Sequence, residues 1–186
     1  MRVGRGAGVV LALALGACRS RDAGTPDAGV LPPPSALTCD GLVTPEIRDA
    51  LPGFTVKEER TCPTCGPLCT FRSAAQKDVT VSIAYDCHKH PDGQDVRGLL
   101  APTLRAGGVE VPALGKAAAR REPVPGMMQV VTWDDDTPCG IVVTWLGKDK
   151  ERALELARTT LFGITHERLM QASTPPPVPA PDAGPL

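Results

Sequence analysis

Six of the seven cysteines lie between residues 39 and 139, and their spacing frames the chemistry open to this chain. Cys62-Pro63-Thr64-Cys65 has the spacing of a redox pair, in which a thiol of lowered pKa at a helix start becomes reactive. Such motifs open a helix behind a strand. Here Gly66-Pro67 follows at once and Cys69 lies four residues on, so the same residues also read as structural disulfides. Cys87-His88-Lys89-His90, with Asp92 nearby, offers thiolate and imidazole ligands suited to copper or zinc. With Cys87 bridged, only His88, His90 and Asp92 remain, a weak exposed site, and polar surface at a strand exit is the plainer expectation. Asp134, Asp135 and Asp136 could attract calcium, but the alternating oxygen ligands and terminal glutamate of the helix-loop-helix site are missing. A solvated turn is expected there.

Nothing nominates a hydrolytic nucleophile. Gly-x-Ser-x-Gly, His-Glu-x-x-His and Ser-x-x-Lys are all absent, and the stretch between the two proline-rich ends has only Ser73 and Ser82 as serines. His166 reads as a surface residue at the end of the last helix. No catalytic residue and no cofactor is expected.

Seven cysteines in 186 residues would suggest metal binding in a reducing cytosol, and disulfides beyond the inner membrane. The N-terminus points beyond it. Arg2 and Arg5 make a cationic head, Ala7 to Leu15 an uncharged apolar run, and small residues precede Arg19 and Arg21, the pattern of a secretory leader. The run is much shorter than the about 20 apolar residues that cross a bilayer. Without Arg2 and Arg5, 18 basic residues face 21 acidic ones, a net charge of −3 that provides no basic surface for nucleic acid.

Leu15-Gly16-Ala17-Cys18 resembles the signal-peptidase site of bacterial lipoproteins, with Cys18 the lipidated first residue of the mature chain. The resemblance implies a diacylglyceryl thioether on Cys18, usually with an amide-linked chain, and two or more chains anchor stably where one does not. In Gram-negative members an aspartate after the lipidated cysteine tends to hold the protein at the inner membrane. Arg19 stands in that place, which implies the outer membrane, facing the periplasm. The six remaining cysteines, Cys39, Cys62, Cys65, Cys69, Cys87 and Cys139, are an even set for three bridges; 15 pairings are open to them.

Around these groups the chain divides into a leader (1–17), a tether (18–36), a domain (37–171) and a tail (172–186). Tether and tail are rich in Pro, Ala and Gly and too poor in large apolar groups to offset the entropy of ordering, so both are expected to be disordered. Within the domain, Thr44-Pro45-Glu46 starts a short helix. Phe54 to Arg60 reads as an edge strand carrying Lys57, Glu58 and Glu59. Leu68 to Ser73 is extended, and Val79, Val81, Ile83 and Tyr85 alternate with polar or small residues as a half-buried strand does. Asp95 to Ala106 has helical spacing with an interruption or kink expected at Pro102. A strand follows Leu114-Gly115-Lys116, then strands over 127–133 and 139–146. The last helix is capped by Asp149, with Ala153, Leu154, Leu156, Ala157, Leu161 and Ile164 on one face. The six aromatic residues all fall in these elements and are expected in the core. The fold class is α+β, a single domain with an antiparallel sheet of about six strands and helices on one face. Its two helix-plus-three-strand halves hint at a duplication.

Cys39-Asp40-Gly41-Leu42, Cys69-Thr70-Phe71, then Leu114-Gly115 with Ala117-Ala118, and a long last helix resemble small bacterial envelope lipoproteins of uncharacterised function, over about 39–165. That resemblance implies a Cys39–Cys69 bridge and brings no catalytic residues with it. Those lipoproteins lack the Cys62 and Cys65 pair. Two functions follow as expectations. The first is a lipid-anchored, non-catalytic binding or structural module with an envelope-protein, cell-wall or small-molecule partner. The alternative is an extracytoplasmic thiol-redox or metal-handling protein using Cys62, Cys65, Cys87, His88 and His90.

Overall fold

The computed structural model describes residues 32–87, 97–135, 137 and 139–173, which belong to one compact unit, Leu31–Leu186. The leader, Cys18, the tether to residue 31, His88, His90, Asp92, Asp136 and the tail from Thr174 lie outside the described residues.

A 3-10 turn at Pro34–Ala36 leads into α1 (Cys39–Leu42) and α2 (Pro45–Ala50). The fold thus takes up three residues that composition gives to the tether, because Leu37 behind them is fully buried. Each helix begins on a threonine. Thr38 Oγ1 accepts from the Gly41 N–H at 3.3 Å and Thr44 Oγ1 from the Ile47 N–H at 3.4 Å, satisfying donors the helix cannot.

β1 (Phe54–Glu59), β2 (Leu68–Ser73) and β3 (Thr80–Asp86) form one antiparallel meander. α3 (Arg97–Arg105) connects to a second one, made of β4 (Val109–Glu110), β5 (Ala117–Arg121), β6 (Met127–Trp133) and β7 (Gly140–Leu146). The chain closes with α4 (Arg152–Gly163) and α5 (His166–Ala172). The sheet order is β1-β2-β3-β7-β6-β5-β4, so the meanders join through their last strands, with Ile83 opposite Val143. This is the α+β antiparallel architecture expected, with a seventh strand among the described residues. The addition, β4, is two exposed residues long and offers no alternation to read. β1 is an edge, as its charges suggest.

Period-two burial puts Val81, Ile83 and Tyr85 on the core face of β3, Ile141, Val143 and Trp145 on that of β7, and Met128, Val130 and Thr132 on that of β6. Ala153, Leu156, Ala157 and Leu161 of α4 close this face, and α4 packs on β6 and β7. Burial of each Val, Ile or Leu among them is worth about 1.5–3 kcal/mol before entropy is counted. Arg152 ties the layers together: its guanidinium lies 4.9 Å from the Trp145 ring centroid, and Nη2 donates to the Ala50 carbonyl at 2.6 Å. At the other end of the sheet the second face is covered too. Ala119, of opposite parity to Ala118, is fully buried, and Leu100 and Thr103 of the adjoining α3 are buried apart from the main core.

Some local expectations change. α3 is not interrupted at Pro102, the sixth of its nine residues, and continues to Arg105; the proline removes one intrahelical N–H and the helix runs only three residues beyond it. Asp149 does not cap α4 with its side chain; it sits at φ 58°, and its backbone carbonyl accepts from the Arg152 N–H at 2.9 Å. His166 is exposed, as expected, but opens α5 instead of ending the last helix. Phe162 is 71% exposed, one residue round α4 from the buried stripe, and Trp133 is half-buried on the face of β6 opposite the core, beneath Lys116, so neither is core.

Candidate functional site

Three disulfides use all six cysteines after Cys18: Cys39–Cys69, Cys62–Cys65 and Cys87–Cys139. The first is the pairing the lipoprotein resemblance implies. Cys39 starts α1 and Cys69 lies on β2, so that bridge pins the N-terminal helix to the sheet. Cys87 and Cys139 flank the open end of the β3–β7 pair, next to Asp86 opposite Gly140. All four of these sulfur-bearing residues are at most 4% exposed.

Cys62–Cys65 differs in every respect. It sits in the β1–β2 connection, where Pro63, Gly66 and Pro67 prevent any regular element, and both cysteines are half-exposed. The Cys65 N–H donates to the Cys62 carbonyl at 3.2 Å, a single turn, and the chain then enters β2 instead of a helix. The helix start that lowers a thiol pKa in redox motifs of this spacing is therefore missing. Polar groups do hold the loop. Thr64 Oγ1 lies 3.5 Å from Cys62 Sγ. Arg60 Nη1 donates to the Cys65 carbonyl at 3.1 Å, while Nη2 meets Glu58 Oε1 at 2.8 Å and also donates to the Leu37 carbonyl. Glu58 Oε2 in turn accepts from the Cys39 N–H at 2.8 Å. One arginine thus joins the loop to the point where the chain enters the fold.

Gly66 fixes the loop from beneath. A Cβ there would stand 2.2 Å from the Tyr85 carbonyl oxygen of β3, so only glycine admits this approach. The Tyr85 ring points into the core, and its hydroxyl is buried with no hydrogen-bond partner among the described residues. Burial drives its pKa well above the usual tyrosine value, with the nearby Arg168 charge opposing in part.

The other sequence candidates fare differently. Cys87 is consumed by its bridge and cannot be a metal ligand, and His88, His90 and Asp92 lie outside the described residues. Among the described residues no group of three His, Cys, Asp or Glu side chains is placed to hold a metal. Asp135 pairs with Lys116, and Asp134 Oδ1 accepts the Asp135 N–H at 2.7 Å, which is turn chemistry.

Sequence reasoning missed an open cleft of about 500 Å³ between α2 and the end of α4, lined by Thr44, Pro45, Glu46, Phe162 and Arg168. Phe162 supplies exposed apolar area beside it. The Thr44 hydroxyl, a backbone N–H and then the Arg168 charge hold the exposed Glu46 carboxyl below its ordinary range against a small burial cost. No signal in the sequence separates Phe162 from the buried Leu161 next to it. Among the described residues no helix is long and apolar enough to cross a membrane. Compared with protein-family models, curated proteins and solved structures, the chain matches none.

Proposed function

We propose that this chain is a lipid-anchored protein of the cell envelope, held through Cys18 at the outer membrane facing the periplasm, and that its folded domain is a non-catalytic binding or structural module. The supporting observation is the sulfur count. The six cysteines beyond Cys18 satisfy one another, leaving Cys18 as the one cysteine of seven for which they supply no partner. Three bridges also suit an oxidising compartment. An envelope protein, a cell-wall polymer or a small molecule is the partner class, and the cleft beside Phe162 is the apolar, partly charged surface suited to it. Growth with radiolabelled palmitate tests the anchor: label enters the wild type, and Cys18→Ser removes both the label and membrane association. A wild type that stays unlabelled would falsify the reading.

The half-exposed Cys62–Cys65 bridge favours a second reading, an extracytoplasmic thiol-redox protein. In that case the purified protein reduces insulin disulfides in the presence of a dithiol. Activity indifferent to Cys62→Ser ends the idea.

A further inference from the structure

The three bridges carry the same bond in two environments, and thiol–disulfide exchange depends on access to sulfur and on what receives the departing thiolate. At Cys39–Cys69 and Cys87–Cys139 no attacking thiolate can reach sulfur without opening the core, since all four residues are buried. At Cys62–Cys65 both cysteines are half-exposed on a loop. The loop also presents one polar group beside a sulfur and one on its backbone. The Arg60 guanidinium, itself paired with Glu58, donates to the Cys65 carbonyl and holds the loop that carries the attacked sulfur. The Thr64 hydroxyl lies 3.5 Å from Cys62 Sγ, where it can donate to a sulfur that becomes anionic.

We propose that the Cys62–Cys65 disulfide is a thiol–disulfide exchange site that takes two electrons from a dithiol, with Cys65 the attacked sulfur and Cys62 the leaving one. A thiolate of the dithiol forms a bond to Cys65 Sγ as the Cys62–Cys65 bond breaks. The electron pair goes to Cys62 Sγ, which accepts from Thr64 and then takes a proton from water. The second thiol of the dithiol loses its proton and attacks the first, releasing Cys65 as a thiolate that is protonated in turn. The protein gains two thiols and the dithiol becomes a disulfide. Because the bridge joins residues only three apart and lies outside the core, opening it leaves the sheet and its two buried bridges in place. This rests on the thiol-redox reading and narrows it to an electron donor class, an attacked sulfur and a leaving sulfur; loss of insulin reduction with selective opening of this bridge retained would end that reading and leave the exchange site standing.

Graded dithiothreitol on the native full-length protein, with timed alkylation and peptide mass spectrometry, tests the site. Cys62 and Cys65 are expected to be labelled at least about tenfold faster than the other four cysteines. Equal rates at all three bridges, or a buried bridge opening first, overturn the proposal. Brief exposure to glutathione, a monothiol, reads the direction: the adduct is expected on Cys65, and an adduct confined to Cys62 reverses the assignment. Thr64→Val should slow reduction of this bridge by about threefold and Thr64→Ser restore it, with the melting temperature of both unchanged. A rate indifferent to Thr64→Val removes Thr64 as the positioning residue.

Discussion

Two regions of this domain carry disulfides for opposite reasons. The buried bridges close loops of 30 and 52 residues, and the chain-entropy relation assigns them about 3.6 and about 4.1 kcal/mol. The exposed bridge closes a loop of three residues, for which the same relation gives only about 1.6 kcal/mol. Packing sharpens the contrast. Cys39, Cys69, Cys87 and Cys139 are part of the hydrophobic core, so a break there costs packing as well as chain entropy. The small, accessible bridge is worth least to the fold and is the one that chemistry can reach. Burial is thus the variable that separates a bond sealed in the core from one that solvent can reach.

The comparison is tested most severely by removing the bridges in pairs. Cys87→Ala with Cys139→Ala should lower unfolding stability by about 4 kcal/mol, and Cys39→Ala with Cys69→Ala by slightly less, as read from urea midpoints at constant slope. A loss below about 1 kcal/mol for either pair would place the buried bridges with the exposed one.

A smaller effect is expected at the seam between the regions. Gly66→Ala forces a methyl onto the Tyr85 backbone carbonyl, which cannot swing aside as a side chain could, and should cost about 2 kcal/mol while speeding reduction of Cys62–Cys65. If stability falls but the reduction rate does not move, the loop and the core are energetically separate.

Alkaline titration reads the core side of the same residue. Tyr85 is the sole tyrosine, so phenolate absorbance reports it alone. Its folded pKa is raised, so the stability it contributes is complete below the unfolded value of about 10 and is lost as pH rises above that. The slope should approach about 1.4 kcal/mol per pH unit, and phenolate should appear only with unfolding. An ordinary titration in the folded protein would mean that the ring is solvated. The smallest change is expected from Cys62→Ala with Cys65→Ala: about 1.6 kcal/mol at most, with the buried bridges intact by mass spectrometry.

Much of the sheet was legible because side-chain alternation survives in the letters. β3 and β7 each bury every second residue, and the Lys57-Glu58-Glu59 run marks the edge at β1. α1, β4 and α5 were not, since four, two and seven residues are too few to show a period, and α5 is held by tertiary contact. Gly41 allows that contact, because a Cβ there would stand 2.5 Å from Ala172 Cβ, while Arg168 Nε donates to the Gly41 carbonyl at 3.0 Å. The loop with Cys62 and Cys65 could be recognised as a staple from its prolines and the two cysteines as a pair by spacing, but the choice among 15 pairings could not be made, since the other four cysteines are paired by which elements become neighbours. Phe162 escaped for a similar reason: a helix has a buried stripe, and a position about 100° round from Leu161 leaves it.

The adjacency of β3 and β7 has a consequence for how the chain assembles. Each meander can zip from local hairpins, yet β3 is a bare rim until the strand ending at Leu146 arrives. The β3–β7 contact is therefore the strand pairing of longest sequence separation in the sheet and carries the largest loop-closure cost. Cys87 and Cys139, at the mouth of that pairing, meet only when the halves dock, so their bond works as a latch recording that the two halves have met in register.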